Sequence, residues 1–146
     1  GSGGPALHGS HEALGALLRL WGESHPDVTI ETVISQSLGD TGETADLTIY
    51  RTIQESLTNV FRHAGATCVS VTVEPAEPSS GMAAAGRGGA RVRVRDNGSG
   101  LRADHRLGLG LTGMRERILA LGGSLTIASG DHGVTVEAVV PSGARN

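Results

Sequence analysis

The chain has 146 residues, of which 38% are hydrophobic and 18% charged, and a formal net charge of −3. That length suits one domain with its own core, and the mild negative charge excludes a global basic field that would hold nucleic acid. All twelve Lys+Arg residues are arginine, which excludes a P-loop with its phosphate-reaching lysine and leaves arginine, backbone N–H groups or a metal for any phosphate site.

Aromatic residues make up only 2%, too few for a base-stacking platform on single strands. No apolar run reaches membrane-spanning length and no signal peptide is visible, so a cytoplasmic domain without direct membrane contact is expected. The opening "GSGG" reads as a scar, and residues 1–10 as a tag or linker remnant before one domain over 11–146. The single Cys68 cannot form an intrachain disulfide and is expected to be a buried strand cysteine.

The first element is an amphipathic helix over 12–24, "EALGALLRLWGES", with Leu14, Leu17, Leu18 and Trp21 at i, i+3, i+4 and i+7. After Pro26, "DVTIETVIS" (27–35) predicts a strand that presents Val28, Ile30 and then Val33. The longest helix is predicted over 44–65, with Thr44 as N-cap, Gly65 as stop and Leu47, Tyr50, Ile53, Leu57, Val60 and Phe61 on one face. Strands follow at 67–74 and 90–98, separated by a low-complexity flexible loop over 75–89, and should pair as a hairpin. In the second of them Val92 and Val94 take one face and arginines the other. A glycine-rich loop (98–110) leads to a helix (111–123) that ends in a Gly pair, and a hairpin over 124–141 closes the chain. The order α-β-α-β-β-α-β-β, with strands in hairpins between helices, predicts an α+β sandwich: a mixed, mostly antiparallel sheet covered on one face by three helices.

"GLGLTG" (108–113) has the G-x-G-x-x-G spacing of a dinucleotide fold, and Asp131 stands about where a ribose-binding acid would. Such a loop must leave a buried strand and turn at once into its helix. Here the glycines follow "LRADHR", and only fifteen residues come after Asp131. The dinucleotide reading also leaves two other segments unexplained.

The first is the polar stripe Glu55, Asn59 and His63 at i, i+4 and i+8, with Arg62 beside it and the apolar stripe facing roughly the other way. It reads either as a solvated helix face or as a carboxylate and a carboxamide that hold a hard cation and a water near phosphate; mid-helix asparagine has no capping work to do. The second is "DNGSG" (96–100). It reads either as a plain turn or as an acid and two glycines that let backbone approach a flat ligand, the carboxylate accepting from an exocyclic amine.

Together, "QESLTNVFRHA" (54–64), "VRVRDNGSGL" (92–101) and "GLGLTGMRERILALGGSLTI" (108–127) resemble the N, G1 and G2 boxes of the GHKL ATPases. In detail they resemble the catalytic ATP-binding domain of bacterial sensor histidine kinases, within the nitrate/nitrite-sensor-like branch, from about Leu14 to Pro141. The resemblance implies a Bergerat α/β sandwich that uses ATP and Mg²⁺. It implies that Asn59 ligates Mg²⁺, that Glu55 is the acid orienting or polarising the reacting groups, and that Arg62 and His63 lie near phosphate. Asp96 would bond the adenine amino group, with Gly98 and Gly100 passing under the base. Gly108 and Gly110 would hinge the ATP lid. Leu109, Gly110, Leu111, Thr112 and Gly113 would line the phosphates, with backbone N–H groups from Gly110 to Gly113 at the helix start.

The lid between Gly100 and Gly108 is short, as in that branch, and no phenylalanine-bearing F box is present. One departure stands out: the family's last hairpin commonly reads Gly-Thr, where this chain has Gly133-Val134 and Thr135 falls on the opposite face of its strand. Met114 reads as packing, Arg115, Glu116 and Arg117 as a solvated face, and His105 as an exposed lid residue. His8 and His11 lack the Arg-Glu-Leu-His-Asp context of a phosphoacceptor. The implied partners are a histidine-containing dimerisation domain of the same protein and a cognate response regulator. The location is then cytoplasmic, or the cytoplasmic portion of a membrane-anchored sensor. The alternatives are an anti-sigma-type GHKL serine kinase and a non-catalytic nucleotide-sensing module.

Overall fold

Alternation of valine with polar residues decides the sheet. The computed structural model describes residues 4–35, 42–61, 66–76, 88–98, 109–130 and 133–142. In them lie α1 (Gly4–Ser24), β1 (Thr29–Ile34), α2 (Glu43–Asn59), β2 (Cys68–Ala76), β3 (Gly89–Asp96), α3 (Leu109–Ala120), β4 (Ser124–Gly130) and β5 (Gly133–Pro141). The strands form one sheet in the order β1-β2-β3-β5-β4. β1 and β2 are parallel, joined through α2, and every other neighbouring pair is antiparallel. The fold is the predicted α+β sandwich.

In β2, β3 and β5 every second residue turns inward. Val69, Val71 and Val73, Ala90, Val92 and Val94, and Val136, Ala138 and Val140 are all buried. Leu14, Leu17 and Leu18 of α1, Ile49, Ile53 and Leu57 of α2, and Leu111, Met114 and Ile118 of α3 cover that face in one core. The other face carries charge. Glu137 Oε2 lies 3.1 Å from Arg91 Nε and 3.4 Å from Arg93 Nη2, and Glu74 lies 3.5 Å from Arg91. These pairs are a third or more exposed, so each adds at most about 1 kcal/mol and the face is held mainly by its backbone ladder.

Several sequence expectations change. Val33 is 62% exposed, because β1 is an edge strand and its register with Thr72 turns Val33 to the open face. Cys68 is half-buried rather than buried, and it too lies on the open face, since Val69 takes the core side. The second helix starts at Glu43 behind Gly42 (φ 92°) as its N-cap, so Thr44 is inside it. Its buried side is also different. Leu47 is 51% exposed, while Ala45, Thr48, Ile49, Thr52, Ile53, Ser56 and Leu57 are buried. Small residues make up much of its buried side. The Thr48, Thr52 and Ser56 hydroxyls each donate to the carbonyl four residues back at 2.7 Å, so burying them strands no donor. Tyr50 and Phe61 are half-buried against the core, and Val60 is buried, as predicted.

At α1 the helix begins at Gly4 and so runs through residues 4–10, before the predicted start at 12. β2 and β3 pair out to Ala76 opposite Gly89, so the connection begins and ends within the predicted 75–89 loop. The Gly pair ends α3 as the sequence predicts: Gly122 takes φ +93°, with Gly122 N–H donating to Leu119 and Gly123 N–H to Ile118. Gly65 lies outside the described residues. Among the described residues no helix is long and apolar enough to cross a membrane.

The two readings of α2 separate by mutation. Ile53→Ala, at a fully buried site, should cost about 2–5 kcal/mol of unfolding free energy. Leu47→Ala should stay within about 0.5 kcal/mol. Urea denaturation followed by circular dichroism measures both.

Candidate functional site

The strand alternation that builds the core also delivers a carboxylate to it. Asp96 is the last residue of β3 and continues the Val92–Val94 face, so its side chain turns toward the helices and is only 4% exposed. Oδ1 accepts from Gly98 N–H at 2.8 Å, closing a short turn. Oδ2 meets no donor among the described residues. A buried carboxylate oxygen without a donor is costly, and the chemistry it fits is an N–H group brought by a ligand.

Two neighbours fix this acid. Asn97, the next residue, turns the other way. Its Oδ1 accepts from both Thr67 N–H and Cys68 N–H at 2.9 Å, and its Nδ2 donates to Thr67 Oγ1 at 2.9 Å. Its own N–H donates to the Cys68 carbonyl at 3.2 Å. The end of β3 is thereby tied to the start of β2 just beyond the last register pair, Val69 with Asp96. On the other side stands Gly133 (φ 127°), where a Cβ would overlap the Asp96 carbonyl oxygen and sit 3.0 Å from Oδ1. Only glycine allows β5 to begin there.

Val134 shares the core-side face with Val136, whereas Thr135 pairs with Arg95 on the open face. The hydroxyl therefore cannot reach the Asp96 side, as the sequence predicts.

Connectivity brings the other sequence-predicted groups to the same end of the sandwich. Helix α2 runs back from the end of β1 to the start of β2, so its last residue, Asn59, lies at the end where β2 begins, β3 finishes and β5 starts. The tight turn after α3 feeds β4 opposite the far end of β5, at Val139, which leaves the first turn of α3 at the Asp96 end.

Glu55 and Asn59 are half-buried and one turn apart, next to the buried Thr52–Ser56 row. The polar stripe thus flanks the buried side of α2 instead of opposing it. The reason is that hydroxyl residues, not the large aliphatic ones, make up that edge of the contact. A carboxylate and a carboxamide oxygen suit a hard cation such as Mg²⁺, which binds through few protein oxygens and completes its shell with phosphate and water. Among the described residues no group of three or more His, Cys, Asp or Glu is placed to hold a metal ion.

In α3, Leu109, Gly110 and Leu111 form the first turn, where N–H groups lack intrahelical acceptors. The Leu111 side chain is 3% exposed and belongs to the core, so only its backbone can face a ligand. Thr112 and Gly113 are exposed, Gly113 lies past the first turn, and Met114 packs in the core. Arg115, Glu116 and Arg117 are exposed, as predicted. Gly98 is buried beneath the Asp96 turn. Arg62, His63, Gly100, His105 and Gly108 lie outside the described residues. Sequence reasoning missed Asn97, whose Asn-Gly dipeptide signals a turn but whose cross-strand partners leave no local trace.

Residues 44–144 match the sequence profile of the histidine kinase-, DNA gyrase B- and HSP90-like ATPases. The signal transduction histidine-protein kinase/phosphatase UhpB of Salmonella typhimurium is 38% identical over 120 residues, 81% of this chain and 20% of that protein. The chain therefore spans about a fifth of that relative's length. The histidine kinase domain of the Erythrobacter litoralis EL346 blue-light activated histidine kinase superposes with a TM-score of 0.64 at 23% identity, covering 88% of this chain and 63% of that one. The ATP-binding domain of PrrB from Mycobacterium tuberculosis gives 0.59 at 20% identity, covering 84% and 86%. With its sensor-kinase relatives and the three-helix, five-strand architecture already described, the chain belongs to the family of histidine kinase-, DNA gyrase B- and HSP90-like ATPases.

Proposed function

We propose that residues 11–146 are the catalytic Mg-ATP-binding domain of a sensor histidine kinase, which transfers the γ-phosphoryl group to a histidine on a separate dimerisation domain for relay to a response regulator. The observation that carries this reading is the buried Asp96, with one oxygen held by Gly98 and the other open to a donor. An exocyclic amine of adenine is such a donor, whereas the carbonyl that guanine presents there would meet the carboxylate as acceptor against acceptor. Gly98 lets backbone run beneath the base, and Gly100 continues that path. Working on ATP and handing phosphate to a response regulator puts the domain on the cytoplasmic side, whether or not the whole protein is anchored in a membrane.

At the phosphate side, Asn59 offers its carboxamide oxygen to Mg²⁺ and Glu55 orients the reacting groups one turn earlier. Bound Mg²⁺ supplies charge neutralisation on the phosphates. The first turn of α3, Leu109 to Leu111, directs free N–H groups and the positive end of its dipole at the same anion, with Thr112 and Gly113 alongside. Gly108 and Gly110 hinge the lid, and Arg62 and His63 add cationic and polar contacts. Positioning and electrostatics, not covalent chemistry by the domain, supply the rate. The P–O bond to the leaving ADP breaks as a P–N bond to the acceptor imidazole forms.

Calorimetry with ATP in excess Mg²⁺ and in chelator tests the two halves of the site. Asn59→Ala should lose the Mg²⁺-dependent part of the affinity, about tenfold or more; an unchanged affinity removes Asn59 from the site. Asp96→Asn should weaken ATP about tenfold or more, the worth of one hydrogen bond to a charged group.

Asn97 separates positioning from bulk stability. Asn97→Asp keeps both acceptor contacts to Thr67 and Cys68, whereas Asn97→Ala loses them. Only the alanine variant should speed amide exchange at Thr67 and Cys68 and narrow the preference for ATP over GTP. Hydrogen exchange and competition binding read the two effects.

A further inference from the structure

The only tryptophan and the only phenylalanine of the chain meet at one place together with a histidine, the three rings in mutual contact. Phe61 lies nearly parallel to His25, with ring centroids 4.0 Å apart and planes 15° apart, and to Trp21 at 4.9 Å and 12°. Trp21 and His25 are themselves stacked at 5.3 Å. The His25 ring is oriented from below: Nδ1 donates to the Trp21 carbonyl at 3.1 Å, and the His25 backbone N–H donates to the same carbonyl at 3.0 Å. Because a carbonyl only accepts, Nδ1 carries the proton and the ring plane is fixed by α1.

The position of Phe61 gives this stack its meaning. Helix α2 ends at Asn59 and widens into a π-type turn at Val60–Phe61, a distortion common at functional sites. Two residues apart on such a turn, Asn59 and Phe61 point to different sides, so holding one sets the azimuth of the other. Val60 is buried and pins the turn to the core, and Phe61 adds an anchor on the side of α1. The rings of α1 provide the stop.

Granted the nucleotide reading of Asn59, we propose that the Trp21–His25–Phe61 stack is a positioning device for Asn59, through which the end of α1 sets the Mg²⁺ affinity of the ATP site. Metal ligands owe their orientation to such outer contacts, whose loss typically lowers metal affinity by about tenfold or more. A shift of α1 against α2 would then be felt first in the Mg²⁺-dependent part of binding and hardly in adenine recognition at Asp96, which stands on β3.

The test uses this chain and calorimetric ATP binding, in excess Mg²⁺ and in chelator, on variants shown to be folded by circular dichroism. Phe61→Leu keeps an apolar side chain and removes the stack. It should weaken Mg-ATP about tenfold while changing metal-free ATP binding by less than about twofold, and Phe61→Tyr should restore the wild-type pattern. Trp21 is the built-in reporter: its emission should respond to ATP with Mg²⁺ more than to ATP in chelator. Trp21→Leu serves in place of Phe61→Leu if the latter does not fold, with the same selective loss expected. Equal weakening in both conditions, or none in either, overturns the positioning role. Wild-type protein that binds no ATP at all overturns the nucleotide reading, and the inference with it, whereas wild-type ATP binding indifferent to Mg²⁺ overturns the inference and leaves adenine recognition standing.

Discussion

The close approach of β5 to the end of β3 is the constraint from which the site follows. Gly133 lies so near the Asp96 carbonyl that no side chain fits between them, and Asn97 ties the opposite flank to Thr67 and Cys68. Asp96 is held from both sides before any ligand arrives. A carboxylate in such a place is expensive for the fold alone, since burial removes its water and the described residues return one donor. On the proposed reading that placement is preorganisation: the desolvation cost is met during folding, and an arriving amine gains a hydrogen bond without having to rearrange the acceptor.

The same economy shapes α2. A helix faced with leucines would stand farther from the sheet, with its polar flank lifted into solvent. Alanine, threonine and serine on the buried side take less room, and back-bonding of the hydroxyls keeps the interface polar yet satisfied. Glu55 and Asn59 then sit half-buried at the margin of the layer, where a carboxamide can reach a cation and still exchange with water. Packing and chemistry are two consequences of one choice of small residues.

That choice explains which parts of the molecule the sequence disclosed. The strands were legible because valine alternates strictly in β2 and β3, and the last hairpin because glycines bracket its turn. Where burial is carried by small or hydroxylated residues the signal inverts: Leu47 looks like core and is exposed, while Thr52 looks like surface and is fully buried. Cys68 and Val33 failed for a related reason, since a strand sequence gives the period but its register decides which phase faces the helices. Asp96, Glu55 and Asn59 could be named as candidates because their spacing is local and resembles known boxes. Asn97 could not, for its partners lie 29 and 30 residues away in sequence, and no local pattern encodes a contact across strands.

The glycines at 108–113 show how topology arbitrates between two meanings of one motif. In a dinucleotide fold they would close a strand-turn-helix unit whose next strand lies parallel to the first. Here β3 ends at Asp96 and α3 begins at Leu109, with twelve residues (97–108) between them, so β3 does not turn at once into the glycines. The helix then feeds β4, which runs parallel to β3 but is separated from it by the antiparallel β5, so the two strands do not pair side by side as in a dinucleotide unit. What survives the change of fold is the local physics: a glycine-rich helix start presents unpaired N–H groups, and those favour an anion in any architecture. The identity of the anion's carrier is decided elsewhere, at the far side of the same end, by whether the waiting group is an acid aimed at a ribose or one buried to receive an amine. On the proposed reading Asp96 is the second kind.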